Sequence, residues 1–105
     1  MLDSDEAEKA LAFLRESANQ IGPLTRQAKL KAHMLKYVEA LLVKGQENAG
    51  VPVTLREKYA RADDRYLEAL QEEAEAAAEL IGLNERRDTA KITISLFQSM
   101  LRDRL

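Results

Sequence analysis

Four glutamates near the middle of the chain have the spacing that could bind a cation or a basic partner. They recur three or four residues apart, which places their carboxylates on one face of a helix: Glu68, Glu72, Glu75 and Glu79. Helical bundles that bind metals through carboxylates also use a Glu-x-x-His pattern, which this chain lacks. Because a run of charge on a helix is usually a solvated face, we predict no metal site. The four glutamates are instead a candidate acidic face for a protein partner.

Basic residues form a second candidate surface. Their spacing places some of them on one face of a helix over 24–48 and the others at similar depth on a helix over 64–102. Rows of lysine and arginine can contact a phosphate backbone, although on helices they are usually only solvated. Nucleic-acid binding is therefore considered but not favoured. The candidate contacts with nucleic acid or a partner are Arg26, Lys29, Lys36, Arg86, Arg87 and Lys91.

The residue types that most catalytic sites need are scarce in this sequence. His33 is the only histidine, there is no cysteine, and the four glycines are isolated from one another. These absences exclude Cys–His nucleophile pairs, cysteine-based zinc sites and glycine-rich phosphate loops. We therefore expect a protein that is not an enzyme and binds no cofactor. The absence of cysteine, of a signal-peptide pattern and of a membrane span is consistent with a cytoplasmic protein, and the net charge of −2 argues for neither a general nucleic-acid binder nor an acidic tail.

Apolar residues that recur every three or four positions predict an all-α fold. Gly22 and Pro23 are expected to end one helix and begin the next. Thr54 with Glu57 forms a capping-box pattern, and Asp63 can cap a further helix, although the chain could also continue there without a break. The predicted helices cover about 4–21, 24–48, 55–62 and 64–102.

These helices are most simply arranged as an antiparallel hairpin within one domain, 1–105. The helix over 24–48 would pack against 64–102, with helix 4–21 folded onto the pair and the 45–53 loop and helix 55–62 at the tip. The helix over 24–48 has two neighbouring apolar stripes, which suggests more than one neighbour. Because one thin bundle leaves apolar surface uncovered, we predict a homodimer. The second of these stripes contains Leu30, Met34, Tyr37 and Leu41.

The segment "LIGLNERRDTAKITI", 80–94, interrupts the apolar pattern of the last helix with five polar residues. The three-to-four spacing resumes in phase beyond them, so we predict one continuous helix with a polar layer, level with Gly22. Arg87 takes the missing step of the core stripe predicted for this helix, whose other members are Ala76, Leu80, Leu83, Ala90, Ile94, Phe97 and Leu101. Its side chain is expected to reach solvent or to pair with a carboxylate.

Four blocks of the sequence resemble a family of small, mostly uncharacterised helical proteins of tailed phages and prophages. They are "ALAFLRESA" (10–18), "AKLKAHMLKYVEALL" (28–42), "TLREKYARADDRYLEAL" (54–70) and "RRDTAKITISLFQSM" (86–100). The family often has Trp at the position of Phe97 and Arg at that of Gln98. The resemblance implies a phage-encoded protein of the host cytoplasm, whose gene lies in an early module near single-strand annealing recombinases and nucleases.

Three functions follow as hypotheses. The first is a non-enzymatic interaction protein, accessory to phage DNA recombination or replication through protein–protein contacts. The second is a host-takeover inhibitor that presents its acidic face to a bacterial enzyme or defence complex. The third is an accessory protein that binds DNA through the basic residues.

Overall fold

A computed structural model describes residues 3–104, and within that range the chain is all-α, with three helices and no strand. Helix α1 spans Ser4–Asn48, α2 spans Val53–Ala62 and α3 spans Asp64–Asp103. The predicted fold class is confirmed, since the two long helices pair with each other as in a helical hairpin. None of these helices has the length and apolar character that a membrane span requires.

The predicted break at Gly22–Pro23 is wrong. Helix α1 continues through both residues, so 4–21 and 24–48 belong to one helix of 45 residues. A proline inside a helix removes one hydrogen bond and costs about 3 kcal/mol. Two local features reduce that cost: Gly22 has no Cβ to clash with the proline ring, and both residues are exposed, so water can reach the backbone there. Packing of α1 on both sides of Pro23 outweighs the local preference for a break.

The chain forms two compact units, and both long helices contribute to each. Unit 1 contains the chain up to Leu24 and from Glu79 onward, so that the first part of α1 packs with the second part of α3. Its buried residues among those described are Ala7, Ser17, Leu83 and Ala90. Leu83 and Ala90 belong to the predicted core stripe of the last helix, and their burial confirms that α3 continues in phase through the polar layer.

Unit 2 spans Thr25–Ala78 and contains the rest of α1, all of α2 and the start of α3. Its buried side chains among those described are Leu42, Ala60 and Ala76, one from each helix. Arg61 joins α2 to α1 through an ion pair of 3.2 Å between its Nη2 and Glu39 Oε1. Hydrogen bonding to Glu39 raises the pKa of Arg61. The core of this unit is thin, and most of its α1 surface faces outward.

The end of α1 is set by Gly50, the one residue among those described with a positive φ, at 78°. Gly50 N–H donates to the Glu47 carbonyl and Val51 N–H to the Gln46 carbonyl, both at 3.0 Å. This pair of bonds is the Schellman motif, which uses a left-handed residue to satisfy the last carbonyls of a helix. The predicted helix end at Asn48 is therefore confirmed. The connecting loop is shorter than the predicted 45–53, because Gly45–Asn48 are still helical.

The start of α2 differs from the prediction. The helix begins at Val53, two residues early, with Pro52 as its N-cap and no side-chain capping bond. Leu55 N–H donates to the Pro52 carbonyl at 2.9 Å. Thr54 therefore lies inside the first turn, where it cannot cap the helix as the capping box with Glu57 predicted.

Acidic caps begin both long helices. Asp3 Oδ1 accepts a bond of 2.9 Å from Glu6 N–H at the start of α1, and Asp63 Oδ1 accepts one of 2.8 Å from Arg65 N–H at the start of α3. Asp63 is extended, with φ −71° and ψ 139°, so it separates α2 from α3. The predicted cap at Asp63 is confirmed, and α2 does not run into the last helix.

Candidate protein-contact surface

Four exposed apolar side chains form a stripe on α1 in unit 2. We call it the α1 stripe; its four side chains retain between 44% and 64% of their accessible surface and are Leu30, Met34, Tyr37 and Leu41. They follow one another at intervals of four, three and four residues, so they lie in one row along the helix. The sequence predicted this row as a second stripe that needs a neighbour, and within unit 2 that neighbour is missing.

A groove between α1 and α3 borders one edge of the α1 stripe. Met34 lines it from α1, and Glu68 and Glu72 line it from α3. Lys31 crosses the groove, with its Nζ 3.2 Å from Glu72 Oε2. Because this ion pair is partly exposed, it contributes at most about 1 kcal/mol to stability. The ion pair does show that Lys31, which belongs to the same unit, partly neutralises the charge of Glu72.

The predicted acidic face is divided between the two units. Glu68, Glu72 and Glu75 belong to unit 2, whereas Glu79 belongs to unit 1. All four residues are exposed. Glu75 accepts a hydrogen bond of 3.2 Å from Gln71 on the same helix. Glu68 is the member closest to the α1 stripe, since it shares the groove with Met34.

Among the predicted basic contacts, Arg26, Lys29 and Lys36 lie together on α1 in unit 2 and are exposed. Arg26 lies one turn before Leu30, so it borders the α1 stripe on the edge away from the groove. Lys29 and Lys36 lie farther around the helix. All three side chains are accessible to a charged partner.

The other basic candidates belong to unit 1, so the six residues are not gathered in one unit. Arg86 is exposed, with its guanidinium carbon 5.9 Å from the centre of the Phe13 ring, in a cation–π geometry. Lys91 is exposed and lies 3.9 Å from Asp88, a loose pair on one helix. Both side chains can still be reached by a partner.

Arg87 has a structural contact that the sequence did not predict. Its Nη1 donates to the Leu14 carbonyl at 2.8 Å and to Ser17 Oγ at 2.5 Å. The expectation that Arg87 would reach solvent or pair with a carboxylate is wrong, because α1 supplies a carbonyl and a hydroxyl next to it. The polar layer therefore lies level with Leu14 and Ser17, and not with Gly22. With its Nη1 donors used inside unit 1 and its side chain partly buried, Arg87 is less accessible to an external phosphate than the exposed Arg86.

Ser17 is the hydrogen-bond partner of Arg87 that the sequence did not predict. The three-to-four spacing of Leu14, Ala18 and Ile21 predicts that Ala18 lies on the apolar face of helix 4–21, but Ala18 is exposed and Ser17 is only 1% exposed. The Ser17 hydroxyl also donates to the Phe13 carbonyl at 2.6 Å, so it is fully used. The sequence did contain an indication of this contact. Ser17 and Arg87 are both polar residues at positions where the three-to-four spacing predicts apolar ones, and such residues often pair with each other.

Unit 1 has its own exposed apolar residues on α3. Ile92 and Leu96 lie one turn apart and are 59% and 52% exposed.

The described residues contain no group of three or more His, Cys, Asp or Glu side chains arranged to hold a metal ion. Comparison with protein-family models, curated proteins and solved structures finds no match to this chain.

Proposed function

We propose that this protein is a non-enzymatic helical interaction protein that acts through contacts between its exposed apolar helix faces and other proteins. The α1 stripe is the observation that carries the proposal. Its four side chains form a continuous row in which each stays about half exposed. Single exposed apolar residues are ordinary, whereas a contiguous exposed row in a small protein commonly marks a protein interface.

The biological setting of the proposal rests on the sequence resemblance to phage proteins. In that setting the protein is an accessory to early phage DNA metabolism, and it docks onto a protein of recombination or replication in the cytoplasm of the host cell. The α1 stripe, and the Ile92–Leu96 pair of unit 1, supply the apolar area that such docking needs.

A second candidate function is inhibition of a host enzyme or defence complex. The exposed carboxylates of Glu68 and Glu75 favour it, since both present negative charge on α3 and Glu68 lies in the groove with Met34 of the α1 stripe. A protein that mimics nucleic acid needs such charge, and its partner would be a host protein with a basic cleft.

Direct DNA binding through Arg26, Lys29 and Lys36 is the third candidate. It requires a mobility shift that weakens steeply with salt.

Capture of partners from bacteria that express the tagged protein, with and without phage infection, tests the proposal. The wild type is compared with Tyr37→Glu, which places a charge in the α1 stripe, and with Ile92→Glu in unit 1. Val53→Glu is the matched control, because Val53 is 73% exposed and lies on α2, outside both surfaces. A phage recombination or replication protein that is lost with Tyr37→Glu or Ile92→Glu, but kept with Val53→Glu, supports the accessory function.

The other outcomes of this capture experiment are equally informative. A host nuclease or defence complex whose capture depends on Glu68 and Glu75 supports inhibition instead. If all three variants capture the same proteins as the wild type, the apolar faces do not mediate contacts and the proposal is wrong.

A further inference from the structure

We infer that the partner of the α1 stripe is an acidic protein helix, which packs its own apolar row on the stripe and places carboxylates against a basic row of α1. The inference rests on the proposed function, because it takes the stripe to be a protein-contact surface, and it adds the chemistry of the partner. The basic row consists of four exposed side chains on the side of the stripe away from the groove: Arg26, Lys29, Lys36 and Lys44.

The charges of the basic row are not neutralised within the protein. None of its four side chains forms an ion pair with the described part of the chain. The only acidic residue of α1 between Arg26 and Lys44 is Glu39, whose carboxylate pairs with Arg61 of α2 at 3.2 Å. Glu47 lies three residues beyond Lys44, next to the end of the helix. The basic row therefore keeps its positive charge for an external group.

The other edge of the α1 stripe has no such excess of charge. Lys31 pairs with Glu72 at 3.2 Å, and Arg65 pairs with Asp63 at 3.0 Å. A partner therefore needs carboxylates along only one edge of its apolar row. The groove on this edge is lined by two basic and two acidic side chains, Lys31, Arg65, Glu68 and Glu72.

The α1 stripe and the basic row are neighbours on one helix. With about 3.6 residues per turn, the two rows together cover roughly 160° of the circumference of α1. The stripe is about 17 Å long from Leu30 to Leu41, and the basic row is about 27 Å long from Arg26 to Lys44, at about 1.5 Å per residue. Intervals of four, three and four residues are the spacing of a coiled-coil seam, in which flanking charges select the partner helix.

Other anions fit only part of this surface. A nucleic-acid backbone would neutralise the basic row, but its phosphates and sugars would leave the apolar side chains of the stripe in water. Helices that lie on membranes insert a broad apolar face below the headgroups. The side chains of the stripe are about half covered by the protein, which leaves little to insert. A protein helix with an apolar row beside carboxylates matches both rows.

Synthetic peptides provide a probe of this chemistry. The acidic peptide is a helix of about 20 residues, long enough to span the basic row, with leucine at intervals of three and four and glutamate along one edge. The matched basic peptide has lysine in place of each glutamate, and a scrambled peptide keeps the acidic composition without the apolar row. Fluorescence anisotropy measures their binding to the full chain. We expect the acidic peptide to bind at least about tenfold more tightly than the other two, and less tightly as salt is added.

Charge reversal on α1 locates the contact. Combining Lys29→Glu with Lys36→Glu should weaken binding of the acidic peptide by about tenfold, because two attractions become repulsions. Combining Lys9→Glu with Lys58→Glu is the matched control, since it changes the net charge equally at exposed positions outside both rows. Tyr37→Glu should also weaken binding, because it places a charge in the apolar contact. Circular dichroism verifies that each variant keeps its helices.

Several outcomes would overturn the inference. Equal binding of the acidic and scrambled peptides would show that charge alone acts, and tighter binding of the basic peptide would show that the partner is not acidic. Vesicles containing phosphatidylglycerol and a single-stranded DNA oligonucleotide are tested in parallel. If no peptide binds, but one of these does and is lost with the double reversal at Lys29 and Lys36, the occupant is a lipid or a nucleic acid. If nothing binds, the inference is wrong.

The failure of this inference and that of the proposed function can be told apart in the capture experiment. If Tyr37→Glu loses a captured protein but the double reversal at Lys29 and Lys36 keeps it, the stripe contacts a protein that is not acidic, and only the inference fails. If neither variant changes what is captured, the α1 stripe is not a protein-contact surface, and both fail at this surface.

Discussion

Arg87 of α3 donates a hydrogen bond of 2.5 Å to Ser17 of α1, a residue 70 positions earlier in the chain. The same nitrogen donates to the Leu14 carbonyl at 2.8 Å, and the Ser17 hydroxyl donates onward to Phe13. These bonds form a polar contact between α1 and α3 beside the buried Leu83 and Ala90 of unit 1. Among the described residues, no buried side-chain nitrogen or oxygen atom lacks a hydrogen-bond partner.

Arg87→Ala is expected to destabilise the fold. It removes the hydrogen bonds that the nearly buried Ser17 hydroxyl and the Leu14 carbonyl accept from Arg87, which costs about 1–3 kcal/mol in the free energy of unfolding. Urea denaturation followed by circular dichroism measures this change. The double variant Arg87→Leu with Ser17→Ala should lose less than the sum of its two single variants, because both polar partners are then removed together.

Arg86→Ala is the matched control for that experiment. Arg86 is exposed and its contacts are the Phe13 ring and the Gly82 carbonyl on its own helix. Loss of the Arg86 side chain should lower the free energy of unfolding by less than about 1 kcal/mol. If Arg86→Ala were as destabilising as Arg87→Ala, the interhelical hydrogen bonds would not explain the effect.

Gly50→Ala is expected to lower stability by about 1–2 kcal/mol, because an alanine at φ 78° clashes with its own backbone. Gly45→Ala is the matched comparison. Gly45 is helical, and a Cβ added there meets no atom within 4 Å, so alanine should raise stability by about 0.5–1 kcal/mol. Opposite shifts in the midpoint of thermal unfolding are the expected result, and shifts of the same sign would argue against the Schellman end of α1.

Pro23→Ala should stabilise the protein by up to about 3 kcal/mol, because it restores the hydrogen bond that the proline removes from α1. Thermal unfolding measures the gain. If α1 were broken at this point, as the sequence suggested, the same substitution would leave the unfolding midpoint unchanged or lower it.

Asp63 lies between the end of α2 and the start of α3, and its contribution to the stability of this junction depends on pH. Hydrogen bonds from the Arg65 side chain and backbone lower the pKa of Asp63. The carboxylate therefore contributes stability that is fully present above the unfolded pKa of about 3.9 and is lost as pH falls through the lower folded value. Titration by NMR should place the midpoint of Asp63 below that of a free aspartate.

Asp63→Asn is the control that separates charge from capping. Asparagine can still cap α3, but it does not titrate. The difference in unfolding midpoint between wild type and Asp63→Asn should be largest near neutral pH and should shrink in strong acid. A difference that is independent of pH would show that the Asp63 charge does not stabilise the junction.

The local sequence pattern was sufficient to predict the all-α fold, the core row through Leu83 and Ala90 and the cap at Asp63. It failed at Gly22–Pro23, because the rule that glycine and proline end a helix is local and tertiary packing outweighs it. It also failed at Thr54, where the Pro52 backbone begins α2 before the threonine can cap it.

The candidate surface was predictable in part. Spacing alone identified the α1 stripe, and its exposure is what a row without a neighbour in unit 2 should show. Spacing could not identify the partner of Arg87, because Ser17 and Ala18 are adjacent and the rotation of α1 decides which one faces α3. It also could not show that the six basic candidates are divided between two units, since that depends on the packing of both long helices.

The central claim, that the α1 stripe contacts protein, is tested most directly by photo-crosslinking inside cells. A photoreactive phenylalanine derivative replaces Tyr37, and in a matched experiment it replaces Val53, which is exposed on α2. The account predicts a discrete crosslinked protein product from position 37, either a dimer of the chain or a complex with a partner, and none from position 53. Equal or absent crosslinking at the two positions would contradict it.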